Sequence, residues 1–134
     1  MRRPTFPTLR RAAAAIALSC VAAGMSLQAQ TFDAGDEDPV GELAGELMFR
    51  ADLLSSLDTL CPRGRPAPDW HAALPALPPE AQTLELIDLS RRLGADAGQQ
   101  LVRQTGGCGT RDFSAAYDES RQTFSELIER WQQL

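Results

Sequence analysis

The sequence has no lysine, a single histidine, three cysteines and few aromatic residues, which make up 6% of its 134 residues. So few aromatics limit the size of the core, and the length allows one small domain. Because His71 is the only histidine and no two cysteines have zinc-site spacing, we predict no metal and no other cofactor. The chain also lacks a Gly-x-Ser-x-Gly motif and a phosphate-binding loop, so we expect no enzymatic activity.

No apolar run is long enough to span a bilayer as a helix, which takes about 20 residues. The longest run, within residues 12–24, follows a basic segment and precedes small and polar residues. This order is typical of a secretory signal peptide, and we predict one over residues 1–29, cleaved after Ala29. Cys20 leaves an alternative open, because the Ala-Leu-Ser-Cys segment ending at this residue loosely resembles the lipobox of bacterial lipoproteins. We therefore expect a periplasmic or secreted protein, attached to a membrane only if Cys20 is lipidated.

Basic and acidic residues are unevenly distributed along the chain. Four of the thirteen arginines lie within the first eleven residues, whereas all eighteen acidic residues follow position 30. Residues 30–134 therefore carry a formal charge of −9, which repels phosphate backbones, and we predict no nucleic-acid partner. Residues 30–39 are acidic and poor in apolar side chains, so we expect a flexible tail there and a helical domain over residues 40–134.

Cys61 and Cys108 are the cysteines that remain once the signal peptide is removed. Two cysteines in an exported protein usually pair because the compartment is oxidising, and we predict a disulfide between them. A reactive thiol pair is the alternative, but the chain has no Cys-x-x-Cys motif and no histidine beside either cysteine. In the chain-entropy account, closing a loop of this length stabilises the fold by roughly 4 kcal/mol.

The segment from Val40 to Leu60 has the three-and-four spacing of an amphipathic helix, and Pro62 ends it. A second row, formed by Phe49, Leu53 and Leu60, lies nearly opposite its main apolar face. A helix that is apolar on two sides is usually packed by neighbours on both, so we predict a central helix. Alternatively the second row lines a groove for a partner, and its three residues are the predicted partner-binding residues.

Residues 63–79 are rich in proline and predict a connector with at most one helical turn. We expect Trp70, within this connector, to pack back onto the helices. His71 follows it and is interpreted as a surface residue.

Two further helical regions follow the connector. Residues 79–104 carry a main apolar stripe that includes Leu86, Leu89 and Leu93, with a break expected near Gly94 because glycine weakens a helix. Residues 110–134 carry an aromatic-rich face and predict the last helix. No segment is typical of a strand, so the predicted fold class is all-α, a three- or four-helix bundle stapled by one disulfide.

The order of these features resembles two groups of exported helical proteins. The segment Leu57-Asp58-Thr59-Leu60-Cys61, followed by Cys108 and Phe113, is similar to the small periplasmic pilotins of type II secretion. Cys61, Trp70 and Cys108 are similar to the pattern of a family of small exported helical proteins with no assigned function. The first resemblance implies a disulfide-stapled helical bundle that grips a short segment of an outer-membrane secretin and escorts it.

Three hypotheses about function follow from these observations. The first is a non-catalytic periplasmic adaptor that holds a peptide or helix of a cell-envelope protein in a groove between helices. The second is an immunity or inhibitor protein that neutralises a toxic enzyme through its acidic surface. The third is a structural protein of the envelope without a specific ligand.

Overall fold

A computed structural model describes residues 38–134, which form three α-helices and one short 3-10 helix. The elements are α1 (Pro39–Leu60), the 3-10 helix (Pro79–Ala81), α2 (Leu84–Gln104) and α3 (Arg111–Gln132). This part of the chain contains no strand, and the all-α prediction is confirmed for it. The predicted signal peptide, Cys20 and most of the predicted acidic tail fall on residues 1–37, outside the described range.

Helix α1 begins at a capping residue and ends before a proline. The Asp38 side chain accepts a hydrogen bond of 3.0 Å from the backbone N–H of Gly41. Pro39 occupies the first turn, where its missing N–H costs no helical hydrogen bond. The helix stops at Leu60, two residues before Pro62, so its bounds lie within one residue of the predicted ones.

Helix α1 is the central helix, as its two apolar rows predict. Helix α2 packs along one side of it and α3 along another, whereas α2 and α3 contact each other little. The core therefore follows α1, whose buried residues are Leu43, Ala44, Leu47, Met48, Ala51, Leu53, Leu54 and Leu57.

Aromatic side chains of α3 complete this core. Phe113, Tyr117 and Phe124 are buried in one cluster with the leucines of α1. The helix is capped by Thr110, whose hydroxyl accepts a hydrogen bond of 3.1 Å from the backbone N–H of Phe113. Trp70 packs edge-on against Phe124, with ring centroids 5.8 Å apart, so the expected return of the connector onto the helices is confirmed.

A disulfide joins Cys61, directly after α1, to Cys108, three residues before α3, as predicted. The Cα atoms of the two cysteines lie 5.5 Å apart. Between α2 and α3 the chain turns at Gly106 and Gly107, whose φ angles of 84° and 117° favour glycine. The disulfide thus ties the end of the central helix to the turn between the other two.

Helix α2 is continuous, and the break expected near Gly94 is wrong. Gly94 and Gly98 lie where the backbones of α2 and α1 approach most closely. A Cβ on Gly94 would stand 2.7 Å from the Cβ of Asp52 and 2.9 Å from the backbone nitrogen of Leu53, and one on Gly98 would stand 2.5 Å from Ser56 Oγ. The close contact with α1 requires these glycines and outweighs their low helix propensity, which costs about 1 kcal/mol each relative to alanine.

Candidate binding groove

An open apolar groove of about 230 Å³ lies between the first halves of α1 and α2. One wall is a row of leucines on α2, in which Leu86, Leu89 and Leu93 are 44%, 46% and 49% exposed. The half-buried side chain of Phe49 on α1 contributes the opposite wall. The other lining residues are Gly41, Gly45, Met48, Ala81 and Ser90.

Small residues at the helix contact keep this groove open. Helix α2 turns Ser90, Gly94 and Gly98, spaced four residues apart, towards α1, and these three are buried. The leucine row lies on the neighbouring face of the helix and stays beside the contact. On α1, a Cβ added at Gly45 would meet no atom within 4 Å. Because α3 contacts α2 little, the leucines remain uncovered within the described part of the chain.

The three predicted partner-binding residues do not share one surface. Phe49 lines the groove. Leu53 belongs to the core and is 4% exposed, so it presents almost no surface to a partner in this conformation. Leu60 is 41% exposed at the far end of α1, where it lies beside Gly98. Binding through these residues stays a prediction, and Phe49 is the one that the groove contains.

Sequence reasoning misses the leucines of α2 as candidate binding residues. Leu86, Leu89 and Leu93 form the stripe that an amphipathic helix ordinarily buries, so they read as core. The available signal is a row of small residues on the neighbouring face of α2: Ser90, Gly94 and Gly98. Small side chains let two helices approach more closely than leucines do, so such a row can take the contact and leave the leucines outside it.

A nearly buried carboxylate lies next to the groove. The side chain of Asp52 is 10% exposed and accepts a hydrogen bond of 2.6 Å from the hydroxyl of Ser90. Its other oxygen lies 2.7 Å from Nε2 of His71, in the connector. Asp52 therefore links α1, α2 and the connector. A cavity of about 350 Å³ opens beside this cluster and is lined also by Ile87 and Arg91.

The cluster of Asp52, Ser90 and His71 does not have the order of a catalytic triad. In a triad the histidine stands between carboxylate and serine and takes the proton of the serine. Here Asp52 stands between the other two, Ser90 donates to the carboxylate, and Nε2 of His71 contacts Asp52. The arrangement holds three segments together and does not prepare Ser90 for attack on a substrate.

A second carboxylate of α1, Asp58, holds the middle of the connector at Trp70. Asp58 accepts hydrogen bonds of 2.7 Å from Nε1 of Trp70 and 2.6 Å from the hydroxyl of Tyr117. Burial of Tyr117, followed by its hydrogen bond to Asp58 and the negative charge of that residue, raises the pKa of Tyr117 to about 12. The guanidinium of Arg63, 3.9 Å from the ring centroid of Tyr117, acts in the opposite direction.

Two other kinds of site are absent from residues 38–134. None of the helices there is both long and apolar enough to cross a bilayer. Within the same range, no three side chains of histidine, cysteine, aspartate or glutamate come together as a metal site requires.

No protein-family model, no curated protein and no solved structure matches this chain. The resemblances to pilotins and to the exported helical family therefore stay predictions, based on a few residues. The groove, its leucine row and the charges around it are the features of this chain that bear on its function.

Proposed function

We propose that this chain is an exported, non-catalytic binding protein that holds an amphipathic helix of a protein partner in the groove between α1 and α2. The observation that carries the proposal is the row of Leu86, Leu89 and Leu93, nearly half exposed on the wall of an open groove. Three neighbouring leucines on one helix face, left outside the core, favour a surface that is covered by a partner.

The shape of the groove favours a helix as its occupant. The groove runs between two helices, and the part of the chain that the structure describes has no strand whose edge could pair with an extended peptide. A helix with apolar side chains at intervals of three and four residues matches the spacing of the leucine row on α2. Gly45 leaves room for one large side chain of that helix against Phe49.

The charges at the rim favour a partner helix with basic flanks. Glu42 and Glu46 precede Phe49 by seven and three residues, so they lie on the same side of α1, and both are exposed. On α2, Glu85 precedes Leu89 by four residues and is exposed too. Arg92 on α2 is paired with Asp88 at 3.2 Å. Arg50 on α1 lies over the ring of Phe49, 5.8 Å from its centroid. The three glutamates outnumber this arginine, so the rim is acidic on balance.

Export is part of the proposal. The signal-peptide pattern of residues 1–29 and the disulfide between Cys61 and Cys108 agree with each other, because disulfides persist in oxidising compartments. On this proposal the mature protein is a three-helix bundle in the periplasm or outside the cell. Mass measurement of the mature protein tests cleavage near Ala29 and lipidation of Cys20 together.

The groove is tested with Gly45→Leu, a variant that fills it without removing any contact. Leucine has a higher helix propensity than glycine, so this variant should fold at least as well as the wild type. Proteins captured by the wild type from an envelope extract are identified, and a basic amphipathic helix from one of them is synthesised. Fluorescence anisotropy then measures its binding. We expect at least tenfold weaker binding by Gly45→Leu, which corresponds to about 1.4 kcal/mol.

The matched control is Glu119→Leu, which adds a leucine at an exposed position of α3. It should bind the helix as the wild type does. Equal binding by Gly45→Leu and the wild type would contradict the proposal. Reversing the charges of Asp118, Glu119, Glu126 and Glu129 on α3 addresses the inhibitor hypothesis, which predicts loss of binding there while Gly45→Leu still binds.

A further inference from the structure

A second cavity, of about 510 Å³, lies near the end of α1 that is farther from the groove. It is lined by Arg63, Arg65 and Arg121. Residues 38–134 contain fifteen acidic residues and nine arginines, so three arginines in one cavity run against the overall charge of the domain. The rest of the wall is formed by Asp58, Pro62, Pro66, Ala67, Pro68 and Tyr117.

The carboxylate in this wall is already engaged by neutral donors. Asp58 accepts hydrogen bonds from Trp70 and Tyr117. Among the described residues, neither Arg63 nor Arg65 has a carboxylate oxygen within 4.0 Å. The guanidinium N–H groups of both arginines are therefore left for another acceptor.

Arg121 is only weakly paired. It meets Asp118 at 3.8 Å, with side chains that are 55% and 66% exposed. An exposed pair of this kind contributes at most about 1 kcal/mol. A ligand oxyanion can therefore compete with Asp118 for Arg121.

Parts of the cavity are held in place before any ligand arrives. The guanidinium of Arg63 lies over the buried ring of Tyr117, 3.9 Å from its centroid, and the hydroxyl of that tyrosine is fixed by Asp58. Gly64, with a φ of 70°, turns the chain between Arg63 and Arg65. The prolines that follow restrict the backbone further.

We propose that this arginine cavity binds a small organic oxyanion, through a carboxylate or phosphate group of the ligand. Guanidinium groups pair with both groups through two parallel hydrogen bonds, which ammonium groups do not offer. The volume falls in the range of small-molecule sites, about 300–1,000 Å³. This site is separate from the apolar groove, and neither proposal depends on the other.

Nuclear magnetic resonance titration of the full-length mature protein tests the site. The side chain of Arg63 lies in the ring current of Tyr117, so its proton signals report directly on the cavity. Succinate and citrate form the carboxylate series, glycerol 3-phosphate and inorganic phosphate form the phosphate series, and sodium chloride holds the ionic strength constant. We expect a saturable shift of the Arg63 signals with one of the two series, which identifies the group that the site prefers.

Substitutions separate a site from general screening. Arg65→Gln and Arg121→Gln should each raise the dissociation constant of the preferred probe about tenfold, because each removes a charge-assisted hydrogen bond. Arg65 makes no side-chain hydrogen bond to a described residue, so its replacement should leave the fold unchanged. Arg130→Gln, on the last turn of α3, is the matched control and should bind as the wild type does.

Two results would overturn the proposal. One is the lack of any saturable shift with either series at constant ionic strength. The other is a dissociation constant for Arg65→Gln that equals the dissociation constant for the control, Arg130→Gln.

Discussion

Two aspartates of α1 fix a connector that has little regular structure of its own. Asp52 binds His71 and Ser90, and Asp58 binds Trp70 and Tyr117. A carboxylate shielded from water is unfavourable unless it accepts hydrogen bonds, and each of these accepts from two side chains. The proline-rich connector is thus attached to α1 at two consecutive residues, His71 and Trp70.

Replacing Asp52 with asparagine tests this attachment. We expect Asp52→Asn to lower the free energy of unfolding by about 1–3 kcal/mol, because an amide cannot accept both hydrogen bonds with the strength of a carboxylate. Urea unfolding measures the change. Asp88→Asn, on the exposed face of α2, serves as the control and should stay within about 0.5 kcal/mol of the wild type. An equal loss in both variants would contradict the role given to Asp52.

Tyr117 makes stability depend on pH at the alkaline end. Its folded-state pKa, about 12, exceeds the ordinary value of 10.0, so the folded state holds the phenol proton more tightly than the unfolded state does. The resulting stabilisation is complete below pH 10 and is lost as the pH rises through 12.

Unfolding measured across this pH window should show the effect. We expect a loss of about 2–3 kcal/mol that is smaller in Tyr117→Phe, which has no phenol to titrate. Because the chain has one tyrosine, the ultraviolet absorbance of the phenolate follows this single group. A phenolate that titrates near 10 in the folded protein would refute the assignment.

Among the elements, α2 has two different faces, and which of them packs on α1 determines the surface that is left open. Its small face packs on α1 through Gly94 and Gly98, and its leucine face borders the groove. Packing through small side chains brings backbone close to backbone, which the distances at Gly94 make explicit. Packing through the small face leaves Leu86, Leu89 and Leu93 partly exposed to water. This exposure is unfavourable in free energy, and binding of a partner helix would offset it.

Two glycine-to-alanine variants should therefore change stability in opposite directions. Gly94→Ala introduces a Cβ 2.9 Å from the backbone of Leu53, and we expect it to destabilise by about 1–3 kcal/mol despite its better helix propensity. Gly45→Ala places a Cβ in open space on α1 and should stabilise by up to about 1 kcal/mol. Thermal unfolding of the two variants under one set of conditions measures both effects. Stabilisation by Gly94→Ala would show that the helices do not pack as closely as described.

At the scale of the whole molecule, the disulfide connects parts that are otherwise distant in sequence. Cys61 and Cys108 are 47 positions apart, and their bond ties the end of α1 to the turn before α3. Helix α3 contacts α2 little, so its position depends on its packing against α1 and on this link.

Removing the disulfide should lower the free energy of unfolding by about 2–4 kcal/mol, because the unfolded chain regains the freedom of a long loop. The double variant Cys61→Ala/Cys108→Ala is compared with the wild type by urea unfolding, with and without a reductant. Reductant should weaken the wild type and leave the double variant unchanged. Wild-type stability that is insensitive to complete reduction would contradict this expectation.

Much of the helical architecture follows from local sequence signals. Asp38 and Thr110 cap α1 and α3, and each cap depends on contacts within a few residues. Cys61 and Cys108 are the two cysteines outside the predicted signal peptide, so their pairing can be predicted from the number of cysteines once export is assumed. The central position of α1 follows from its two apolar rows. Each of these conclusions needs only neighbouring residues or a residue type with a single available partner.

The groove and the arginine cavity could not be obtained in this way. Helix α2 has two rows of residues that could contact α1. The sequence pattern predicts contact through the more apolar leucine row. The helices pack through the row with Gly94 and Gly98, because small side chains allow a closer approach. Arg63 and Arg121 are far apart in sequence and meet only because α3 packs beside the end of α1. The number of helices, most of their bounds and the disulfide can be predicted from the residues alone, because their causes are local or allow one partner. Which apolar face stays open and which arginines come together depend on how closely the helices pack, so the folded chain is needed to see them.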